Sequence, residues 1–247
     1  MAKSTRKTKA KPRKPAKKAM PGTSLIQRMR RWFWRVVLGA IAVVVGLTVL
    51  YAIVNPPTTP YMFQEGRRVG DVAYNFVPLE NIAPVMARSA VAAEDANFCL
   101  HWGLDVNAIR DRIERGGTGG ASTISQQVVK NVYLWHGRSW VRKATEALWT
   151  PLTELIWTKH RVLELYLNVA EFDEGVFGVQ AAARHYFGVN ASDLSAVQAA
   201  RLAAILPSPK TRSASNPSNA TRRRAASILD GAATIRVDGR AACFNGE

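Results

Sequence analysis

The chain has 247 residues, 47% hydrophobic and 21% charged, with a formal net charge of +16, enough length for one large domain or two small ones. The charge is lopsided: thirteen Lys and Arg fall within residues 1–35, where Asp and Glu are absent, which leaves +3 for everything after. A uniformly basic body is thereby excluded, and the scattered His101, His136, His160 and His185 with two cysteines exclude zinc-ligand spacing.

The Lys/Pro/Ala-rich residues 1–35 read as a disordered arm, drawn to anionic lipid rather than nucleic acid because no aromatic side chain precedes Trp32. Val36 to Val54 follows as nineteen uncharged residues, a length that spans a hydrocarbon core of about 30 Å. Trp32, Phe33 and Trp34 at one end and Tyr51 at the other suit the two interfaces. A cleaved signal peptide is the alternative. The long basic region and the absence of a small-residue cleavage site at Asn55-Pro56-Pro57 favour an uncleaved anchor. The positive-inside rule then puts residues 1–35 in the cytoplasm and everything past residue 55 outside. Residues 55–77, with three prolines by Pro60, read as a linker.

From Leu79 the spacing of Ile82, Val85, Met86, Ala90 and Ala93 predicts a helix ending near Glu94. The stretch Ala92–Gly103 brings Glu94 and Asp95 from a small-residue face against Phe98, His101 and Trp102. Partial desolvation there raises a carboxylate's pKa toward the range useful for moving protons, although from this stretch alone a solvated helix end with a satisfied structural His is the better reading. Cys99, between Phe98 and Leu100, reads as a buried free thiol, while one disulfide with Cys243 is permitted. Asp105 predicts the N-cap of a short helix that stops at Gly116–Gly120, a mobile glycine loop without a P-loop ending.

Thr123 with Gln126 forms a capping-box pattern, and Gln126, Gln127 and Lys130 share one face of the helix that follows. A longer helical run from about Ser139 to Asn168 carries Arg142 and Glu146 at i,i+4, is interrupted at Pro151 and restarts with Thr158 as N-cap. Further helices are expected over Val179–Phe187, after the Ser195/Gln198 capping box, and over Ala220–Leu229; the tail after Gly231 shows little periodicity. With no run of alternating strands, the fold class is mostly α.

Two Glu residues on different helices suit glycosidic-bond chemistry. A Lys and an Arg on two helices suit an anionic leaving group, and a membrane anchor suits a lipid-linked substrate. Together they point to glycosyl transfer from a sugar pyrophosphate, in which one base on the acceptor hydroxyl suffices and the anomeric centre inverts.

The segments EDANFCLHWG, GASTISQQVVKN, RKATE, RVLELYLN and GVFGVQAAARHYFG stand in one order between Pro78 and Pro209. In this the chain resembles the family 51 peptidoglycan glycosyltransferases of class A penicillin-binding proteins and monofunctional biosynthetic transglycosylases, the Gram-negative monofunctional type above all. About forty residues follow Pro209, so no transpeptidase domain is expected. Mild departures stand at Cys99, Ala121 and Val128–Val129.

The resemblance implies a lysozyme-like α-helical glycosyltransferase domain, residues 78–230, with a small membrane-proximal lobe, preceded by the transmembrane helix 36–54 and followed by a tail, 231–247. It implies Glu94 as general base, with Lys130 and Arg142 neutralising the pyrophosphate and Gln127, Ser122, Thr123 and Asn131 helping to bind substrate. Glu146 is the second acidic site residue, supporting Arg142 or helping to hold a divalent metal. Mg²⁺ or Mn²⁺ is expected from the resemblance alone. Phe98 and His101 would shape the loop that aims Glu94, and Leu104–Gly120 would gate the cleft. The implied partners are lipid II, the lipid-linked growing glycan and the membrane, with cell-division or wall-synthesis proteins as candidates and no nucleic acid. The implied location is the bacterial inner membrane, single-pass, with the body in the periplasm. A lytic lysozyme-like enzyme using Glu94 as acid, and a non-catalytic scaffold, are the competing readings.

Overall fold

The computed structural model describes residues 25–114, 116, 122–137 and 139–245. The basic arm up to residue 24, and residues 117–121 of the glycine loop, lie outside them. The chain divides into two units, residues 1–44 and 45–247.

In the first unit the described residues belong to helix α1 (Leu25–Ile53), 29 residues long and apolar enough to cross a membrane. Its apolar side chains Trp32, Val36, Leu38 and Ile41 are exposed, as a lipid-facing surface requires. The helix begins eleven residues before the predicted span and so carries Arg28, Arg30, Arg31 and Arg35 on the same rod.

The second unit begins with the last turns of α1, which are packed into it. Thr48 is fully buried. Its hydroxyl accepts from Trp149 Nε1 at 2.9 Å and its carbonyl from Trp157 Nε1 at 2.7 Å. Arg161 donates to the carbonyls of Tyr51 and Val54 and to Asn55 Oδ1, closing the open carbonyl end of the helix.

Helix α2 (Pro60–Val69) then occupies the segment expected to be a linker. Thr59 caps it by accepting from Met62 N, and Pro60 at the first turn loses no hydrogen bond there. Strand β1 (Ala73–Tyr74) and a 3-10 turn at Leu79–Asn81 lead into α3 (Pro84–Glu94). A second 3-10 turn at Phe98–Leu100 precedes α4 (Val106–Glu114), which Asp105 caps through Ala108 N. Next come α5 (Ile124–Tyr133), α6 (Trp140–Ile156, with Pro151 inside it) and α7 (Lys159–Val169, capped by Thr158). β2 (Glu171–Asp173), β3 (Val176–Phe177), α8 (Val179–Phe187), α9 (Ala196–Ile205), α10 (Asn219–Val237) and the single-turn α11 (Ala242–Asn245) complete the chain. The described body is mostly α, as the pattern predicts.

Besides the helix in the expected linker, three further features depart from the sequence reading. A small sheet in the order β1-β3-β2, parallel then antiparallel, is present; strands of two or three residues are too short to show alternation. α10 runs through Gly231 to Val237, eight residues beyond the expected end at Leu229. Gly231 does not break the helix: a Cβ there would stand 3.2 Å from that of Ala92, so glycine serves the close packing of α10 on α3. Cys99 is not a free thiol but is bonded to Cys243. The return of the chain after α10 sets α11 beside the Phe98–Leu100 turn, where Phe244 meets Phe98 with ring centroids 6.2 Å apart.

One hydrophobic core runs through the body, built by two groups of helices. α3, α9 and α10 pack together through small side chains such as Ala90, Ala200, Ala203 and Ala225. α5 packs on α6 and α7, burying Ile124, Val128, Leu163 and Leu167.

Candidate active site

Glu94 is the last residue of α3, and the residue after it fastens that end to α5. Asp95 Oδ2 accepts from the backbone N–H of Ile124 at 3.0 Å, at an α-helix N-terminus whose dipole favours a carboxylate. Asp95 Oδ1 lies 2.9 Å from His101 Nε2. The predicted capping box at Thr123 and Gln126 is present, and the Thr123 hydroxyl donates to Gly103 O at 2.5 Å. Gly103 has φ +80°, and a Cβ there would meet Thr150 and Glu154 side chains at 2.7 and 2.8 Å. The motif glycine is therefore needed for the loop to press against α6.

From this junction the helices present one cleft of about 690 Å³, lined by Glu94, Ser122, Gln127, Lys130, Arg142, Lys143, Glu146 and Arg224, with Ala93, Leu206 and Pro207. Gln127 Nε2 donates to Glu94 Oε2 at 3.0 Å. Arg224 Nη2 reaches Glu94 Oε1 at 3.4 Å and the Ala93 carbonyl at 3.2 Å. Glu146, only 2% exposed, is held by Arg142 Nη1 at 2.7 Å and by Lys143. Lys143 also donates to Ser122 Oγ at 3.0 Å.

Burial raises the pKa of Glu94 above the ordinary carboxylate value, opposed by the Gln127 hydrogen bond and by the charges of Arg224 and Lys130. Burial likewise lowers that of Lys130, with Glu146 pulling the other way. Four cations face two carboxylates in this cleft. The surplus of positive charge suits a substrate group carrying two negative charges, such as a diphosphate.

Six of the eight expected site residues thus line one cleft: Glu94, Ser122, Gln127, Lys130, Arg142 and Glu146. Two do not. Thr123 is buried with its hydroxyl engaged as cap and in the bond to Gly103. Asn131 opens instead on a neighbouring cavity of about 170 Å³ that shares Gln127, Lys130, Leu206 and Pro207 with the cleft. There His136 stacks on Tyr61 with centroids 3.5 Å apart, and burial lowers the His136 pKa to about 4.

Lys143 and Arg224 were not among the expected residues. Lys143 was within reach of sequence reasoning, since it stands three residues before Glu146 on the same helix. Arg224 gave no local signal.

The divalent ion expected from the resemblance finds no ready protein site among the described residues. Asp95, His101 and Asp105 bring one ligand atom each within 4.8 Å. Every carboxylate oxygen of that group already has a partner: His101 and Ile124 N for Asp95, Ala108 N and Asn97 for Asp105. Only His101 Nδ1 is left without one, whereas Mg²⁺ takes a near-octahedral set of oxygens. The donors do not fit such an ion. Part of the expected gate, residues 115 and 117–120 of Leu104–Gly120, lies outside the described residues.

Comparison with known proteins bears on the same segment. A transglycosylase family model matches residues 64–233. The chain is 59% identical over 232 residues to the biosynthetic peptidoglycan transglycosylase of Jannaschia sp. (strain CCS1), covering 94% of this chain and 97% of that one. It is 44% identical to the protein of the same name in Rhodospirillum centenum (90% and 98% covered) and 47% identical to that of Pseudomonas entomophila (82% and 89% covered).

Proposed function

The chain belongs to the transglycosylase family and is a peptidoglycan glycosyltransferase of cell-wall synthesis; from that premise we propose how its cleft performs the reaction. Glu94 takes the proton from the 4-hydroxyl of the GlcNAc of lipid II. That oxygen attacks C1 of the MurNAc at the reducing end of the lipid-linked glycan. The C1–oxygen bond to the pyrophosphate breaks, its electron pair leaves with undecaprenyl pyrophosphate, and a β-1,4 bond forms with inversion. Lys130 and Arg142, joined by Lys143, neutralise the departing diphosphate, and Gln127 holds the base. Ser122 acts through Lys143, Thr123 acts by building the helix start, and Asn131 acts from the adjoining cavity.

One observation carries this reading: a desolvated carboxylate and a cluster of cations line the same cleft. A lytic enzyme, with Glu94 as acid, has no use for that cationic surplus. The basic first turns of α1 support a cytoplasmic N-terminus, with the body in the periplasm and α1 crossing the inner membrane. Proteins of division or wall synthesis are further candidate partners.

Purified full-length protein incubated with lipid II should build glycan strands and release undecaprenyl pyrophosphate. Shortening of finished sacculi without chain growth would support the lytic alternative instead.

A further inference from the structure

Glu94 is gripped from a part of the chain 130 residues away. Three consecutive arginines open α10, and their placements differ. Arg222 and Arg223 are exposed, whereas Arg224 turns toward the cleft. Its Nη2 lies within reach of both Ala93 O and Glu94 Oε1, so one guanidinium meets an open carbonyl at the α3 terminus and the side chain that follows it. To stand there Arg224 leaves its own Nε buried without a partner. An unsatisfied buried donor is costly, so the needs of the site, rather than of the arginine, fix this placement.

We propose that Arg224 is the positioning residue for Glu94: with Gln127 on the other carboxylate oxygen, it fixes the plane of the carboxylate so that its free lone pair faces the acceptor hydroxyl. The inference rests on Glu94 being the base. The geometry also suits a base that must stay basic. A bidentate fork at about 2.8 Å would hold the carboxylate as a tight ion pair and weaken it as a proton acceptor. A single contact at 3.4 Å from a side chain 38% exposed is a gentler charge. The charged and titratable groups acting on or facing Glu94 come from each neighbouring helix: Asp95 beside it, Lys130 on α5, Tyr166 on α7 and Arg224 on α10. Of the two cations, Arg224 has the larger influence. Removing it leaves burial less opposed, so Glu94 holds its proton to higher pH.

The test compares Arg224→Gln, Arg224→Met and Arg224→Lys in the full chain, measuring kcat and KM for lipid II across pH, with thermal melting to confirm folding. The two neutral variants should move the acidic limb of kcat/KM to higher pH, with a loss about tenfold greater at the acidic end than on the plateau. Arg224→Lys, which keeps the charge, should leave the limb near its original position, and KM should change less than kcat in all three. A limb unmoved in both neutral variants, or a uniform loss that follows the melting temperature, overturns the proposal. Glu94→Gln, assayed alongside, separates the two ideas. If that variant retains full activity, the base assignment has failed; if it is inactive while the neutral variants keep the original limb, only the role of Arg224 has.

Discussion

The two carboxylates of the cleft occupy opposite electrostatic situations. Glu146 is almost wholly buried and clamped by two cations from its own helix, one turn before it. Glu94 has an amide on one oxygen and a single longer contact from a guanidinium on the other, and burial raises its pKa. A carboxylate locked between two cations serves as their counter-ion. A desolvated carboxylate held by one amide and one longer cationic contact is suited to taking a proton. The difference fits the proposed roles, in which Glu94 moves the proton while Glu146 spaces and orients Arg142 and Lys143 for the diphosphate.

That contrast can be broken at several points. Glu94→Gln keeps the shape and the Gln127 contact but cannot accept a proton, so kcat should fall about 10³-fold with lipid II binding preserved. Loss of binding instead would make Glu94 a ligand rather than a base. Lys130→Ala removes a half-buried cation from the other wall, and kcat/KM should fall about 10²-fold, measured as release of undecaprenyl pyrophosphate. Glu146→Gln should be milder, about tenfold in kcat/KM, with a lower melting temperature because Arg142 and Lys143 then repel each other unopposed. A loss as deep as that of Glu94→Gln would erase the distinction between the two residues. Cys243→Ser sharpens the comparison from outside the cleft. It frees α11 from the turn after Glu94 and should cost about 3 kcal/mol in denaturant unfolding, with kcat at 25 °C nearly unchanged.

What the sequence disclosed follows the range of the interactions involved. The capping boxes at Thr123/Gln126 and Ser195/Gln198 were legible because cap and partner are three residues apart. The Arg142–Glu146 pair was legible for the same reason. Glu94 gained weight from its aromatic and small-residue surroundings only with the later motifs beside it, and the cleft that joins it to Lys130 depends on the Asp95–Ile124 bond between the end of α3 and the start of α5. Three things lay beyond local pattern. The Cys99–Cys243 bond closes 144 residues, a distance over which spacing says nothing. α10 continues past Gly231 because a neighbouring helix, not the glycine, decides the position. Arg224 enters the site only because α10 packs on α3, and three arginines in a row do not announce which one turns inward. The Thr123 hydroxyl is the converse case: a motif residue that serves the helix start and faces no substrate in this cleft.

The central claim, that Glu94 accepts the proton, is tested most directly by measuring chain growth from lipid II across pH in the parent protein and in the residual activity of Glu94→Gln. The parent should lose activity as pH falls through an apparent pKa above the ordinary carboxylate value, and the residual activity of the variant should be flat over that range. The same acidic limb persisting in Glu94→Gln would place the titrating base elsewhere and contradict the account.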